Sequence, residues 1–181
     1  MAGIDLTRTF KPVRIAVLTI SDTRTPADDT SGDVLAGRVT EAGHVLAHRG
    51  ILKDDRAAIV AKLRALLAGN TVDVIICTGG TGITGRDVTP EAFEQVLEKK
   101  IEGFGEMFRM ISYQKVGTSA LQSRAVGGVA EGKYLFAIPG SPSACKDAWD
   151  DILKDQLDSR HRPCNFVDLL PRLTEHKRVP A

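Results

Sequence analysis

Apolar residues along this chain fall into short β-branched runs and longer stretches of helical period. The first run, residues 13–20, reads Val-Arg-Ile-Ala-Val-Leu-Thr-Ile, and such a run suits a strand covered on both faces, as in a parallel sheet. Thr25 to Gly32 reads as a loop of turn-formers, after which Val34, Leu35 and Val39 begin a helix that stops at Gly43. Val45 to Leu52 is a second strand, unusual in carrying His48 and Arg49. Ile59, Leu63, Leu66 and Leu67 then mark an amphipathic helix ending at Gly69. Val72 to Cys77 is the clearest buried strand. It runs into the glycine-rich segment 78–85, Thr-Gly-Gly-Thr-Gly-Ile-Thr-Gly.

Beyond that loop, Thr89-Pro90-Glu91 supplies an N-cap and a first-turn proline for a helix through Lys100. Phe104, Met107, Phe108 and Ile111 form another helical stripe. Ala125 to Val129 and Tyr134 to Ile138 flank Glu131-Gly132-Lys133, a hairpin signal. A last helix follows Ser141-Pro142 and carries Ala148, Trp149, Ile152 and Leu157. The order predicts a single three-layer α/β/α domain, residues 13–159, with a mostly parallel mixed sheet. Residues 1–12 form an N-terminal arm, and 160–181 a basic, proline-bearing tail lying over the surface.

Composition changes this picture little. A chain of 181 residues is long enough to bury a core as one domain. A net charge of +1 gives no reason to invoke nucleic acid or an anionic membrane, so a small-molecule pocket is the default. Neither a signal-peptide core nor a membrane-spanning run is present. Cys77, Cys145 and Cys164 are scattered without CxxC spacing, which points to a reducing compartment, the cytoplasm. The four histidines do not take zinc-ligand spacing.

In open α/β sheets ligands collect beyond the carboxyl ends of the strands. Those ends are Ser21-Asp22, Lys53-Asp54, the 78–85 loop and Pro139-Gly140-Ser141. The glycines of the loop let backbone N–H groups turn toward an anion, and no Lys-Ser/Thr pair makes it a Walker loop. Asp87 follows the loop and Asp54 ends the preceding strand; two carboxylates beside a phosphate call for magnesium between them. Asp54 reads equally as a helix N-cap, and Asp87 also as a turn residue before Thr89-Pro90. Ser21 and Asp22 either line a pocket rim or close a turn. Ser141 caps a helix whose N-terminus is open to a phosphate. Ser123-Arg124 either brings an arginine to a phosphate or is an exposed loop pair, and Glu106 and Arg109 pair along a helix face. Cys77 and Cys145 read as packing residues.

In order, these segments resemble the MoaB/MogA family of molybdopterin-binding proteins. The match is carried by Ser21-Asp22, Asp54-Asp55-Arg56, the block from Thr78 to Gly82 and the run Asp87-Val-Thr-Pro-Glu91. It continues through Gly103 to Arg109, Ser123-Arg124 and Pro139-Gly140-Ser141. The likeness spans about Val13 to Phe166, and residues 118–124 and 162–166 are most similar to the MoaB branch. It implies a trimer or dimer of trimers with molybdopterin at the glycine loop. It also implies adenylyl transfer from ATP, with magnesium, to the terminal phosphate of molybdopterin. The family's two functional aspartates map onto Asp54 and Asp87. Substrate and nucleotide contacts are expected from Ser21, Asp22, Thr78, Gly79, Gly80, Thr81, Gly82, Glu106, Ser123, Pro139, Gly140 and Ser141. Within the MoaB branch a glutamate sometimes replaces the first aspartate; here the aspartate is kept.

Two other functions compete. The glycine loop reads rather like a short-chain dehydrogenase fingerprint, but that motif belongs on the first strand, and neither Tyr113 nor Tyr134 has a lysine four residues on. A carrier that holds the pterin without turnover is the second. Surplus apolar surface at residues 104–111 and around Phe166 and Leu169-Leu170 points either to a subunit interface or to an intramolecular core.

Overall fold

A computed structural model describes residues 3–177. In chain order the elements are β1 Gly3–Ile4, β2 Arg14–Ile20, α1 Thr30–Glu41, β3 Val45–Leu52 and α2 Arg56–Ala68. They continue as β4 Val74–Thr78, α3 Thr89–Glu94, β5 Lys99–Lys100 and α4 Glu102–Val116, which passes into a 3-10 helix, Gly117–Gln122. Then come β6 Val126–Ala130, β7 Lys133–Ile138, α5 Pro142–Ala148 and α6 Lys154–Gln156, the last two joined by a π-helical turn, Trp149–Leu153. β8 His161–Arg162 and α7 Phe166–Leu169 follow, and the 3-10 turns Leu170–Arg172 and Glu175–Lys177 end the described chain.

The main sheet has six strands in the order β3-β2-β4-β7-β6-β5. β3, β2, β4 and β7 run parallel, while β6 and β5 each pair antiparallel with their neighbour. Side-chain alternation divides the core between the two faces. Ile15, Val17, Val74, Ile76 and Phe136 pack with Leu35, Phe104, Phe108 and Trp149 on one side. Ala16, Leu18, Ile75, Cys77 and Leu135 pack with Ile59, Leu63 and Phe93 on the other. The sheet therefore lies between α1, α4 and α5 on one face and α2 and α3 on the other. This is the expected three-layer fold. No helix among the described residues is long and apolar enough to cross a membrane.

Four local expectations are corrected. α1 begins at Thr30, inside the expected loop, because buried Asp29 accepts the Gly32 N–H and caps it. α3 stops at Glu94 rather than reaching Lys100. Glu98 N–H instead donates to Val129 O at 2.9 Å and Lys99–Lys100 pairs with β6, so sheet pairing overrides the local helical pattern. Thr89 is not the N-cap of that helix. Val88 holds that place without a side-chain bond, and the Thr89 hydroxyl is directed elsewhere. The tail does more than lie over the surface. The Phe166 ring packs tilted against Tyr134, centroids 4.7 Å apart, the Tyr134 hydroxyl donates to Phe166 O, and Val167 is buried. The N-terminal arm is tied to it through β1–β8 pairing and an Arg8–Asp168 ion pair. The odd pair in β3 also finds its reason. β3 is an edge strand, and Arg49 reaches from it to Asp29 and Asp33.

Candidate active site

Three strand ends converge on one cavity of about 530 Å³. Their meeting point is Gly79, whose φ of 105° only glycine adopts at little cost. A Cβ there would stand 2.1 Å from Ile20 O at the end of β2. From the other side, a Cβ on Gly140 would stand 3.1 Å from the Gly79 Cα. The Thr78 hydroxyl ties β4 to β7 by donating to Pro139 O at 2.9 Å. Ser31, in the first turn of α1, donates to Gly140 O at 2.8 Å and lines the cavity. Buried Asp29 steadies that turn: its carboxylate accepts from Gly32 N–H and the Thr19 hydroxyl and pairs with Arg49.

The two aspartates flank the same loop. A Cβ on Gly80 would approach Asp54 Oδ1 to 2.8 Å, and one on Gly82 would approach Asp87 Oδ2 to 2.7 Å. Only glycines let both carboxylates lie against the backbone. Their environments differ. Asp54 is raised above the ordinary carboxylate range, first by burial and then by the charge of Asp22, with Asp87 adding to it. Burial also pushes Asp87 upward, but bonds from the Thr84 hydroxyl and N–H outweigh it and hold the group below its usual value. Those bonds are 2.6 and 2.8 Å long. The Asp54 side chain does not cap α2; the N-cap is Asp55, which accepts the Ala58 N–H. The N-cap reading of Asp54 is thereby removed.

Other expected site residues divide into those at the cavity and those outside it. Ser21, Thr78, Gly79, Gly80, Thr81, Gly82, Ser123, Pro139, Gly140 and Ser141 all line it with the two aspartates. Ser141 also caps α5 by accepting the Ala144 N–H. Asp22 stands behind the rim, where it binds Arg86 at 2.6 Å and accepts the Asp54 N–H. Glu106 is exposed on α4, outside the cavity lining, and its expected partner Arg109 donates to Ala125 O instead. Arg124 does not reach into the cavity; its guanidinium turns to loop carbonyls and Glu91.

Sequence reading missed three cations of the lining, Arg24, Arg86 and Lys115. Arg86 sits within the segment already singled out and was legible in principle. Lys115 was not, since only the fold brings α4 beside α5, where Lys115 pairs with Asp147 at 2.7 Å. The two buried cysteines supply no nucleophile. Burial pushes the Cys77 thiol far up and that of Cys145 to about 11.

A cavity with two carboxylates, free loop amides and cations at strand tips suits a phosphorylated ligand. Comparison with known proteins agrees. Residues 16–159 match the family model described as a probable molybdopterin binding domain. The chain belongs to this family. Molybdenum cofactor biosynthesis protein B of Escherichia coli (strain K12) is 50% identical over 157 residues, covering 87% of this chain and 92% of the relative. The Bacillus cereus protein of the same name is 47% identical over 151 residues, covering 81% and 88%. A crystal structure of a molybdenum cofactor biosynthesis protein B superposes with a TM-score of 0.83 at 40% identity, covering 94% of this chain and all (100%) of that one. The tungsten cofactor synthesizing protein MoaB from Pyrococcus furiosus gives 0.70 at 28% identity, covering 93% and 99%. Membership of this molybdopterin-binding family agrees with setting aside the dehydrogenase alternative, against which the loop's place in the chain already argued.

Proposed function

We propose that the chain adenylylates molybdopterin: a terminal phosphate oxygen of the pterin attacks the α-phosphorus of ATP, and pyrophosphate leaves. The family and its half-identical relatives put the protein in molybdenum cofactor biosynthesis. The observation that carries the finer reading is the placing of Asp54 and Asp87 against Gly80 and Gly82 of one loop.

Such a transfer needs positioning and charge neutralisation more than a protein nucleophile. Loop amides of Gly80 and Thr81 and the cations Arg24 and Arg86 bind and orient the phosphates, whereas the Gly79 N–H is taken by Ile138 O and that of Gly82 by the Asp87 carboxylate. The donor set fits magnesium brought by ATP. Asp54 is raised first by burial and then by neighbouring carboxylates, and two hard oxygen ligands need phosphate oxygens to complete a shell. No cluster of three His, Cys, Asp or Glu among the described residues holds a metal without them. Asp54 and Asp87 would hold the ion, which supplies charge neutralisation at the phosphates when bound.

The same reading includes self-association as a trimer or dimer of trimers. Phe104 and Phe108 of the expected interface stripe are core residues, but Met107, Met110, Tyr113, Val116 and Leu121 remain exposed along α4 and the following turn. Free thiols at all three cysteines suit the cytoplasm.

Purified protein with ATP, magnesium and molybdopterin is expected to yield adenylylated pterin and pyrophosphate. Asp87→Asn is expected to lower turnover by about a thousandfold while pterin binding persists, the scale of losing a charge-stabilising group. Parental turnover in that variant defeats the assignment. No turnover in the parent protein leaves a pterin carrier.

A further inference from the structure

A glycine-rich loop is the segment best able to turn its peptides either way, so something must fix the planes of residues 79–82. The destinations of its carbonyls show what does. Gly79 O accepts the Thr89 hydroxyl at 2.9 Å, and Gly80 O accepts the Thr89 N–H at 3.0 Å. Thr81 O accepts the Arg124 N–H at 3.0 Å, and Gly82 O accepts Arg124 Nε–H at 2.6 Å. Two residues therefore hold four consecutive carbonyls. Arg124 is itself fixed by donating to Asp87 O at 2.8 Å and to the Glu91 carboxylate in the first turn of α3.

In a trans peptide the C=O of one residue and the N–H of the next point in opposite directions. Holding the carbonyls of Gly79, Gly80 and Thr81 therefore turns the N–H groups of Gly80, Thr81 and Gly82 the other way. The Gly82 N–H reaches the Asp87 carboxylate. Those of Gly80 and Thr81 meet no acceptor among the described residues, although Thr81 is buried and both line the cavity.

We propose that Arg124 and Thr89 are positioning residues that lock the glycine loop with its carbonyls outward and its amides presented to an anion. The proposal deepens the phosphate-transfer reading and rests on it for the ligand. Neither residue touches the ligand. Arg124 thus serves phosphate binding through the loop backbone and not by direct contact, while Ser123 beside it lines the cavity. Lysine in place of Arg124 keeps the charge but not the fork that spans Gly82, Asp87 and Glu91.

The test uses magnesium pyrophosphate as probe, by calorimetry, with amide NMR of residues 80–82. Arg124→Met is expected to weaken pyrophosphate about tenfold, the equivalent of one charged hydrogen bond. It should also shift the loop amides while those of β3 stay in place, and millimolar guanidinium should restore binding. Should Arg124→Met fail to fold, Thr89→Val removes only the hydroxyl and should weaken binding similarly, with Thr89→Ser restoring it. Pyrophosphate affinity within about twofold of the parent, with unshifted loop amides, overturns the proposal. A parent that binds pyrophosphate yet makes no adenylylated pterin ends the transfer reading and leaves the positioning role standing. Parental turnover with an Arg124→Met variant of equal rate and unchanged amides does the reverse.

Discussion

The cavity has two walls built on different principles. One is the strand-tip wall, residues 78–89, where backbone approaches backbone and each loop carbonyl from Gly79 to Gly82 already has a donor. Opposite it stands the helical wall of α4 and the turn 117–122. There Ser112, Lys115 and Ser119 face the cavity while Met110 and Leu121 are 58% and 80% exposed. From Gly79 to Gly82 the first wall has no slack, since a Cβ at any of its three glycines would stand closer than 3 Å to a neighbouring atom. The second is a helix surface, where a side chain can change rotamer without moving the backbone. A rigid amide cradle suits a phosphate of fixed geometry, since preorganised donors need no reorganisation on binding. An adaptable helical wall suits the variable remainder of a ligand or a neighbouring protein surface.

If that contrast is right, the strand-tip wall should tolerate least where three chain segments meet. Gly79→Ala places a methyl 2.1 Å from Ile20 O on a residue with positive φ. The expected loss is about 3 kcal/mol, from left-handed strain plus overpacking against backbone that cannot move aside. Urea unfolding measures it. A loss below about 1 kcal/mol would mean that the wall yields, and the contrast would be broken.

A smaller effect separates the two aspartates within the strand-tip wall. Asp87 is depressed, so its contribution to stability is present above the unfolded carboxyl value near ~3.9 and is lost as pH falls through its folded value. Asp54 is raised, so its contribution is present below that unfolded value and is lost as pH rises through its folded value. At neutral pH Asp87→Asn should therefore destabilise the unliganded protein, by about 1 kcal/mol for weakened Thr84 bonds. Asp54→Asn should stabilise it slightly, by roughly 0.5 kcal/mol or less at a partly solvated site. Denaturant midpoints between pH 7 and pH 3, expected to converge on acidification, check the pair; equal signs at pH 7 would erase the distinction.

The same contrast explains what was legible in the sequence. β3 and the hairpin of β6 and β7 follow from local pattern and turn chemistry, and they stand where the periodicity puts them. The strand-tip site was legible because glycines and aspartates cluster at strand ends in few contiguous segments. α3 was over-extended because nothing local to residues 95–100 announces pairing with β6, where a Cβ on Gly128 would stand 2.5 Å from Lys99 O. Thr89 and Arg124 were read by their neighbours in sequence, a proline and a serine, when their partners lie across the loop. Lys115 and Asp147 carried no signal, being far apart until α4 meets α5.

The helical wall supplies the smallest expected effect. Leu121 is 80% exposed in the isolated chain, so Leu121→Ser removes almost no intramolecular contact. It should change unfolding free energy by less than about 0.5 kcal/mol when measured on the dilute chain. If this apolar strip is covered by another copy, the thermal midpoint of the parent should climb with protein concentration, because association stabilises only the folded state. The same substitution should flatten that climb and reduce the sedimentation coefficient. Surface left unburied cannot do this: a parent midpoint independent of concentration, with sedimentation as a monomer, would show that the strip faces solvent. The adaptable wall would then belong to the ligand alone. A large loss of stability in the dilute variant would instead show that the helical wall is as tightly specified as the strand tips, and the difference between the two walls would not hold.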